Sequence, residues 1–523
     1  MRTMCASLLA LTLLFPGHAS AQSAPPAVAT ESGRVSGTAD GATISFKGIP
    51  YAAPPVGPLR WKAPHKAERW SGTRAADKYG AICQQIYQAK DNGVGPLPMS
   101  EDCLTLNIFA PAAAKKAPVM VWIHGGGYVN GSGTAALYDG SALAKQGVVV
   151  VTLNYRLGRF GFFAHPALSA EAGGEAVGNY GLMDMIAALK WVRANITGFG
   201  GDPEQVTIFG ESAGGAAVNA LMTSPTARGL FDHAIAQSGL GREKFLSLGE
   251  AETAGATFAA SAGAPNATGE VLRALTAETI LKAGDPQIFT GGGPMIDGKI
   301  LSRAPIESFR RGEQARIPYI VGWNSLEFPI PAAALSGKNP LGSAIPGDLP
   351  ARAEAAYPDK DSYNLNFFSD MLFVEPAVAL ARLHARQGNP TFAYQFSIVP
   401  KAAQAMFKGA VHASDREFVF QTLGASAWAT DANDAAQART ISGYWTGFAK
   451  TGNPNGGSRP AWPRFDPAHP RLIDLMDTGP KDAAVPRAAA IEAIAAGQDG
   501  ASGSSASTGQ AMRDEAGSTY SHN

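Results

Sequence analysis

Along this chain, short near-continuous apolar runs alternate with stretches whose apolar positions recur every three or four residues. The runs are Val119 to Ile123, Val148 to Leu153, Val206 to Phe209, Ala234 to Ala236, Tyr319 to Val321 and Phe392 to Phe396. Each is too short for a helix and lacks the alternation of a strand with one wet face, so each predicts a strand buried on both sides. Between them, Tyr180 to Asn195 sets Leu182, Ile186, Leu189 and Val192 at helical spacing. Buried strands interleaved with helices predict an α/β fold built on a central, mostly parallel sheet flanked by helices. No internal repeat or long linker interrupts the chain between about residue 30 and residue 480, so one elaborated domain over 22–487 is expected. From residue 488 the chain turns to Ala, Gly, Ser and Thr with few large apolar residues, which predicts a disordered tail over 488–523.

The first 21 residues break this pattern. Arg2 makes a thin basic start, Leu8 to Phe15 an apolar stretch, and Ala19-Ser20-Ala21 a small-residue cleavage site. That is the layout of a secretory signal, and it predicts export to the periplasm or the medium. A stable membrane anchor fits less well, because spanning takes about 20 apolar residues and Pro16-Gly17-His18 ends this run early. The charge balance of 43 basic against 43 acidic side chains offers no electrostatic case for nucleic acid. Three cysteines occur and Cys5 lies in the signal. Cys83 and Cys103 read as one disulfide closing a loop of about 20 residues, the alternative being two independent buried thiols. Two cysteines are too few for a structural zinc site and no H-E-x-x-H occurs, so neither a metal nor a cofactor is expected.

The strand Val206 to Phe209 runs directly into Gly210-Glu211-Ser212-Ala213-Gly214. A serine in G-x-S-x-G, after a strand and before a helix of small residues, sits on a sharp turn with its hydroxyl projecting from the sheet. Acyl transfer by such a serine needs a base, an acid that orients the base, and donors for an oxyanion. In this fold type the acid follows the serine and the histidine follows the acid. Four histidines follow Tyr319. His522 lies in the tail, His469 in a proline-flanked loop, and His384 in a helical run where a solvated helix end is expected. His412, in the small-residue loop Gly409 to Asp415, is the candidate base. Glu327 stands just past the strand that begins at Tyr319 and is favoured as the acid over Asp297, whose Asp-Gly pair reads as a turn. The oxyanion donors are expected from Gly126 and Gly127, in the loop His124 to Tyr128 after a strand, and from Ala213. A nucleotide in that glycine loop is disfavoured, because neither dinucleotide nor P-loop spacing accompanies it.

Together with Ser100 to Ile108, Ala236-Gln237-Ser238-Gly239, Trp445 to Ala449 and Thr451 to Asn455, these residues resemble the type-B carboxylesterases, the family of cholinesterases and para-nitrobenzyl esterases. The resemblance covers nearly the whole mature chain and implies an α/β-hydrolase fold, a small-molecule ester as substrate, and a triad of Ser212, Glu327 and His412. It also implies a disulfide between Cys83 and Cys103, and polar groups that support the histidine from outside the triad at Glu211, Ser238 and Asp415. The chain departs from the family's Asp-Glu-Gly at Leu326-Glu327-Phe328 and, after the histidine, from its glycine and glutamate at Ala413 and Asp415. Between the two cysteines the aromatic is Tyr87 and no tryptophan occurs, so a choline-type cation site is not expected. An amidase or carbamate hydrolase would use the same triad. A non-catalytic binding homologue would have lost the serine or the histidine, and both are present.

Overall fold

The computed structural model describes residues 25–86, 98–282, 293–330, 345 and 348–499. The expected signal, Tyr87 and the chain from residue 500 onward lie outside these residues. One sheet of 11 strands forms the centre. Its strands in chain order are β1 (Thr38–Asp40), β2 (Thr43–Pro50), β3 (Thr105–Pro111), β4 (Ala117–Ile123), β5 (Val149–Leu153) and β6 (Gly201–Glu211), followed by β7 (His233–Gln237), β8 (Tyr319–Asn324), β9 (Thr391–Phe396), β10 (Arg471–Met476) and β11 (Gly479–Ala484). They lie side by side in the order β11, β10, β9, β8, β7, β6, β4, β5, β3, β2, β1. The seven from β10 to β5 run parallel; β11 and the β3–β2–β1 edge pair antiparallel. The fold is therefore the expected α/β-hydrolase sheet, with an antiparallel flank at each side.

The continuous apolar runs follow from this placement. Along β4, Val119, Val121 and Ile123 enter one hydrophobic core while Met120 and Trp122 enter a second one. Successive strand side chains point to opposite faces, so a strand covered on both sides is apolar at nearly every position. Helices α1 (Tyr180–Asn195), α2 (Ala213–Thr223) and α4 (Glu375–Arg386) pack into the first core, and α5 (Ala432–Thr451) sends Ile441, Tyr444, Trp445 and Phe448 into the second. Helix α3 (Lys360–Ser369) precedes α4 and belongs to a smaller cluster around Leu349, Tyr357 and Phe367.

The chain is helical over 488–499 (α6), where a disordered tail was expected from residue 488. The apolar residues there are few but suitably spaced: Ala490 and Ile494 join the Leu349 cluster and Ile491 joins the first core. Average composition missed a narrow stripe at helical spacing. Cys83 and Cys103 are joined by a disulfide with their Cα atoms 5.0 Å apart. Among the described residues no helix is long and apolar enough to cross a membrane, and no group of three or more His, Cys, Asp and Glu side chains could hold a metal ion.

Candidate active site

Strand β6 delivers Ser212 at its end, and the serine takes φ 56° and ψ −125°, in the left-handed half of backbone space. A non-glycine residue there is strained, and it stays because the surroundings fix it. Its N–H donates to the Gln237 carbonyl at 2.9 Å, and its carbonyl accepts from Ala216 N–H at 2.9 Å. The flanking glycines are needed for close approach: a Cβ on Gly210 would lie 2.6 Å from the Gly214 backbone, and one on Gly214 would overlap the Ile123 carbonyl.

The other two candidates come from loops at the same end of the sheet. Ser212 Oγ is 2.8 Å from His412 Nε2, and His412 Nδ1 is 2.7 Å from Glu327 Oε2. Glu327 is fully buried, just past β8. Its Oε1 accepts from Ser238 Oγ at 2.6 Å and from Asn324 N–H at 2.7 Å. With Oε1 occupied by these charge-assisted bonds and Asn324 Nδ2 3.5 Å from Oε2, the remaining lone pair of Oε2 faces the imidazole and sets the ring's orientation. The His412 loop is tied to the Glu327 loop through the backbone, by His412 N–H to Glu327 O at 2.7 Å and Leu326 N–H to Ala410 O at 2.9 Å.

Gly126 and Gly127 have φ 103° and 61° and follow Gly125, on which a Cβ would lie 3.0 Å from Ser212 Cβ. Neither N–H donates to a protein acceptor among the described residues, and the same holds for Ala213 at the first turn of α2. A Cβ on Gly126 would fall on Asn130, and one on Gly125 would lie 2.6 Å from the Glu211 carbonyl oxygen. Uncommitted backbone donors, one directly after the serine and two in the loop that abuts it, are the kind of group an oxyanion requires.

Glu211 is buried next to the serine, with Oε1 3.2 Å from His412 Nε2 and Oε2 3.9 Å from Arg416 Nη1. The alignment with His412 is not that of a hydrogen bond, so the contact is one of charge. Burial pushes the Glu211 carboxyl up to about 7, partly offset by His412 and Arg416. Burial alone would lower the His412 pKa, but Glu211 and Glu327 outweigh it and hold the ring above its ordinary value. Asp415 accepts from Tyr394 OH at 2.7 Å and Gln237 Nε2 at 2.8 Å, and Gln237 Oε1 accepts from Trp445 at 3.0 Å. Among the described residues no hydrogen bond joins Asp415 to His412; it anchors the loop from behind.

The rivals lie elsewhere. Asp297 Oδ1 accepts three backbone N–H groups, from Lys299, Ile300 and Leu301, at 2.9–3.1 Å, as a turn residue does. His384 is fully buried in α4, not at a solvated helix end. Gln314 and the Ile317 carbonyl hold its two nitrogens at 3.0 and 2.8 Å, and burial lowers it to about 4. Two aromatic neighbours of the base were not foreseen: Phe328 stacks on His412 at 4.7 Å between ring centres, and Phe373 lies 5.0 Å away.

The carboxylesterase family model matches residues 24–346 and 351–490, nearly the whole described chain. The chain belongs to the carboxylesterase family. This carboxylic-ester hydrolase is similar to the para-nitrobenzyl esterase of Bacillus subtilis, 40% identical over 454 residues, with 82% of this chain and 90% of that one covered. The fumonisin B1 esterase of Sphingopyxis macrogoltabida is 37% identical over 470 residues, covering 84% of each chain. Among solved structures, a thermophilic PNB esterase superposes with a TM-score of 0.81 at 35% identity, over 90% of this carboxylesterase and 100% of that chain.

Proposed function

We propose that this carboxylesterase is exported and hydrolyses carboxylic esters of small molecules through an acyl-enzyme on Ser212. The observation that carries the reading is the relay Ser212–His412–Glu327, with contacts of 2.8 and 2.7 Å beside three uncommitted N–H groups. His412 Nε2 takes the Ser212 proton as Oγ attacks the ester carbonyl, while Glu327 holds the ring through Nδ1. The alkoxide of the tetrahedral intermediate is received by the N–H groups of Gly126, Gly127 and Ala213. His412 then gives its proton to the departing alcohol. Water, deprotonated by the same nitrogen, attacks the acyl carbonyl and releases the acid together with free Ser212. Export is supported by the signal-like pattern of residues 1–21 and by the Cys83–Cys103 disulfide, a bond that persists in oxidising compartments.

The test is a burst assay of mature protein with p-nitrophenyl acetate and butyrate, beside Ser212→Ala. A stoichiometric burst in the wild type that is absent from the variant is expected. Hydrolysis without a burst, or a burst that survives in Ser212→Ala, would overturn the acyl-enzyme. Finding the cell-associated protein in the cytoplasm with its first 21 residues intact would overturn export.

A further inference from the structure

Helices α3 and α4 are joined by a π-turn, Asp370–Val374, in which Glu375 N–H reaches back five residues to the Asp370 carbonyl. The next bond of that register would come from residue 376 to the Met371 carbonyl, but residue 376 is proline and has no N–H. Met371 O is instead filled from outside, by Gln498 Nε2 of α6 at 3.3 Å. The two ends of the π-turn are held by the same helix. Arg487, just before α6, grips buried Asp370 with bonds of 2.7 and 2.5 Å, and Tyr357 OH adds a third at 2.7 Å. At the far end of α6, Asp499 holds Arg242 at 2.7 Å, and Arg242 grips buried Glu375 with bonds of 2.7 and 2.6 Å. Arg382 of α4 pairs with Glu492 at 2.5 Å between these ends. A π-turn is a costly interruption that recurs at functional sites, and this one carries Phe373 onto the His412 ring. Phe328, on the ring at 4.7 Å, is moored to the residue before the π-turn, its N–H donating to Ser369 Oγ at 3.1 Å and its carbonyl accepting from that hydroxyl at 3.2 Å.

We propose that Phe328 and Phe373 are positioning residues for His412, and that α6, clamped across the π-turn, keeps them on the imidazole. Hydrogen bonds hold the His412 ring at Nδ1 and Nε2, but bonds made along the ring's edges leave it free to rock about the line that joins them. Two aromatic neighbours, one on the ring at 4.7 Å and one at 5.0 Å, remove that freedom. The mooring matters because α6 holds both ends and the middle of the π-turn at once. Loosening any one anchor should let Phe373 withdraw while leaving Ser212, Glu327 and the oxyanion donors in place.

The inference rests on the acyl-enzyme reading, and pre-steady-state kinetics separates the two. In a p-nitrophenyl acetate burst, the amplitude counts folded, competent sites, and the rate constant reports acylation by His412. Phe328→Ala and Phe373→Ala are expected to acylate about tenfold more slowly, since a displacement of about 1 Å in a catalytic group costs up to about 10²-fold. Their amplitude per folded molecule, and KM for this small ester, should stay within about twofold of wild type. Phe373→Leu, which keeps the bulk, should recover part of the rate. Gln498→Ala, which removes the bond to Met371, and Asp370→Asn should slow acylation in the same direction. Burst rates within about twofold of wild type in both alanine variants would overturn the positioning role. A lowered Tm with an unchanged burst rate in Asp370→Asn and Gln498→Ala would overturn the role of α6. If an alanine variant yields no folded protein, the Phe373→Leu and Gln498→Ala rates decide. A wild type with no burst would instead sink the acyl-enzyme reading itself.

Discussion

Glu211 makes the strongest electrostatic demand on the site, and Glu211→Gln isolates it without changing shape. In the proposed cycle His412 becomes an imidazolium as the tetrahedral intermediate forms, and Glu211 Oε1 lies 3.2 Å from the nitrogen that gains the proton. Two unit charges at that separation attract by about 5 kcal/mol at an effective dielectric of about 20. Arg416, 3.9 Å from the other oxygen, already neutralises part of that charge. The carboxyl, pushed up to about 7 by burial, is also only part-ionised near neutral pH. About 2 kcal/mol of net stabilisation is therefore expected at pH 8, or about thirtyfold in kcat/KM. The pH profile follows from the same pair. As pH falls through about 7, Glu211 takes a proton and its charge on the ring disappears; His412, held above its ordinary value by Glu211 and Glu327, takes a proton and ceases to be a base. Both events lower activity, so the wild-type acid limb should be steeper than a single protonation. Its midpoints belong to the coupled pair. In Glu211→Gln the limb should become single, with a lower midpoint, because one of the two anions that raise the imidazole is gone. The assay is kcat/KM for p-nitrophenyl butyrate from pH 5 to 9, corrected by burst amplitude. A variant within about twofold of wild type at pH 8, with the same acid midpoint, would refute the reasoning.

Three further expectations test separate parts of the molecule. Gly126→Ala would place a Cβ on Asn130 at a backbone φ of 103°, displacing one oxyanion donor; kcat should fall about 10²–10³-fold, and a kcat within about threefold would exclude Gly126 from that role. Breaking the Cys83–Cys103 bond by Cys103→Ser should lower stability by about 3 kcal/mol, read as a shifted denaturant midpoint that reductant reproduces in the wild type; no shift would mean the reduced loop is restrained by its other contacts. Ala413, at φ 69°, holds an alanine in left-handed space. Ala413→Gly should raise stability by about 0.5–1 kcal/mol, the relief of strain less the added freedom of glycine in the unfolded chain, and a lower Tm would show that the methyl packs usefully.

The sheet and the triad candidates were legible for one physical reason: both are written in short contiguous signals. A strand buried on two faces is apolar at most positions on both, so β4, β5 and β9 announce themselves, and the serine turn needs its glycines where backbones touch. What escaped is long-range. His384 reads as a helix end because its partners Gln314 and the Ile317 carbonyl lie about 70 residues away. The same holds for α6, whose composition reads as a tail and whose anchors, Asp370, Arg242 and Arg382, lie more than 100 positions back. Pairings of that kind leave no local pattern, and average composition registers only that apolar residues are few.

The departures from the family pattern converge on one small unit. The loop that carries Glu327 and the loop that carries His412 are laced by two backbone bonds, Leu326 N–H to Ala410 O and His412 N–H to Glu327 O. Phe328 and Ala413 each lie one residue beyond this ladder, at the two positions where the resemblance noted from the sequence implies glycine as the usual family residue. A glycine at 328 would leave the space over the imidazole open; phenylalanine fills it and lies on the ring at an interplanar angle of 29°. A glycine at 413 would adopt φ 69° freely, whereas alanine is held there under strain. Both exchanges therefore reduce the freedom of the segment that presents the base. The acid, the base and the loop between them form a unit stiffened from both sides, while Ser212 and the glycines that face it keep the family's residues. Substitutions at these two positions should thus alter how steadily His412 is held before they alter which ester the serine can reach.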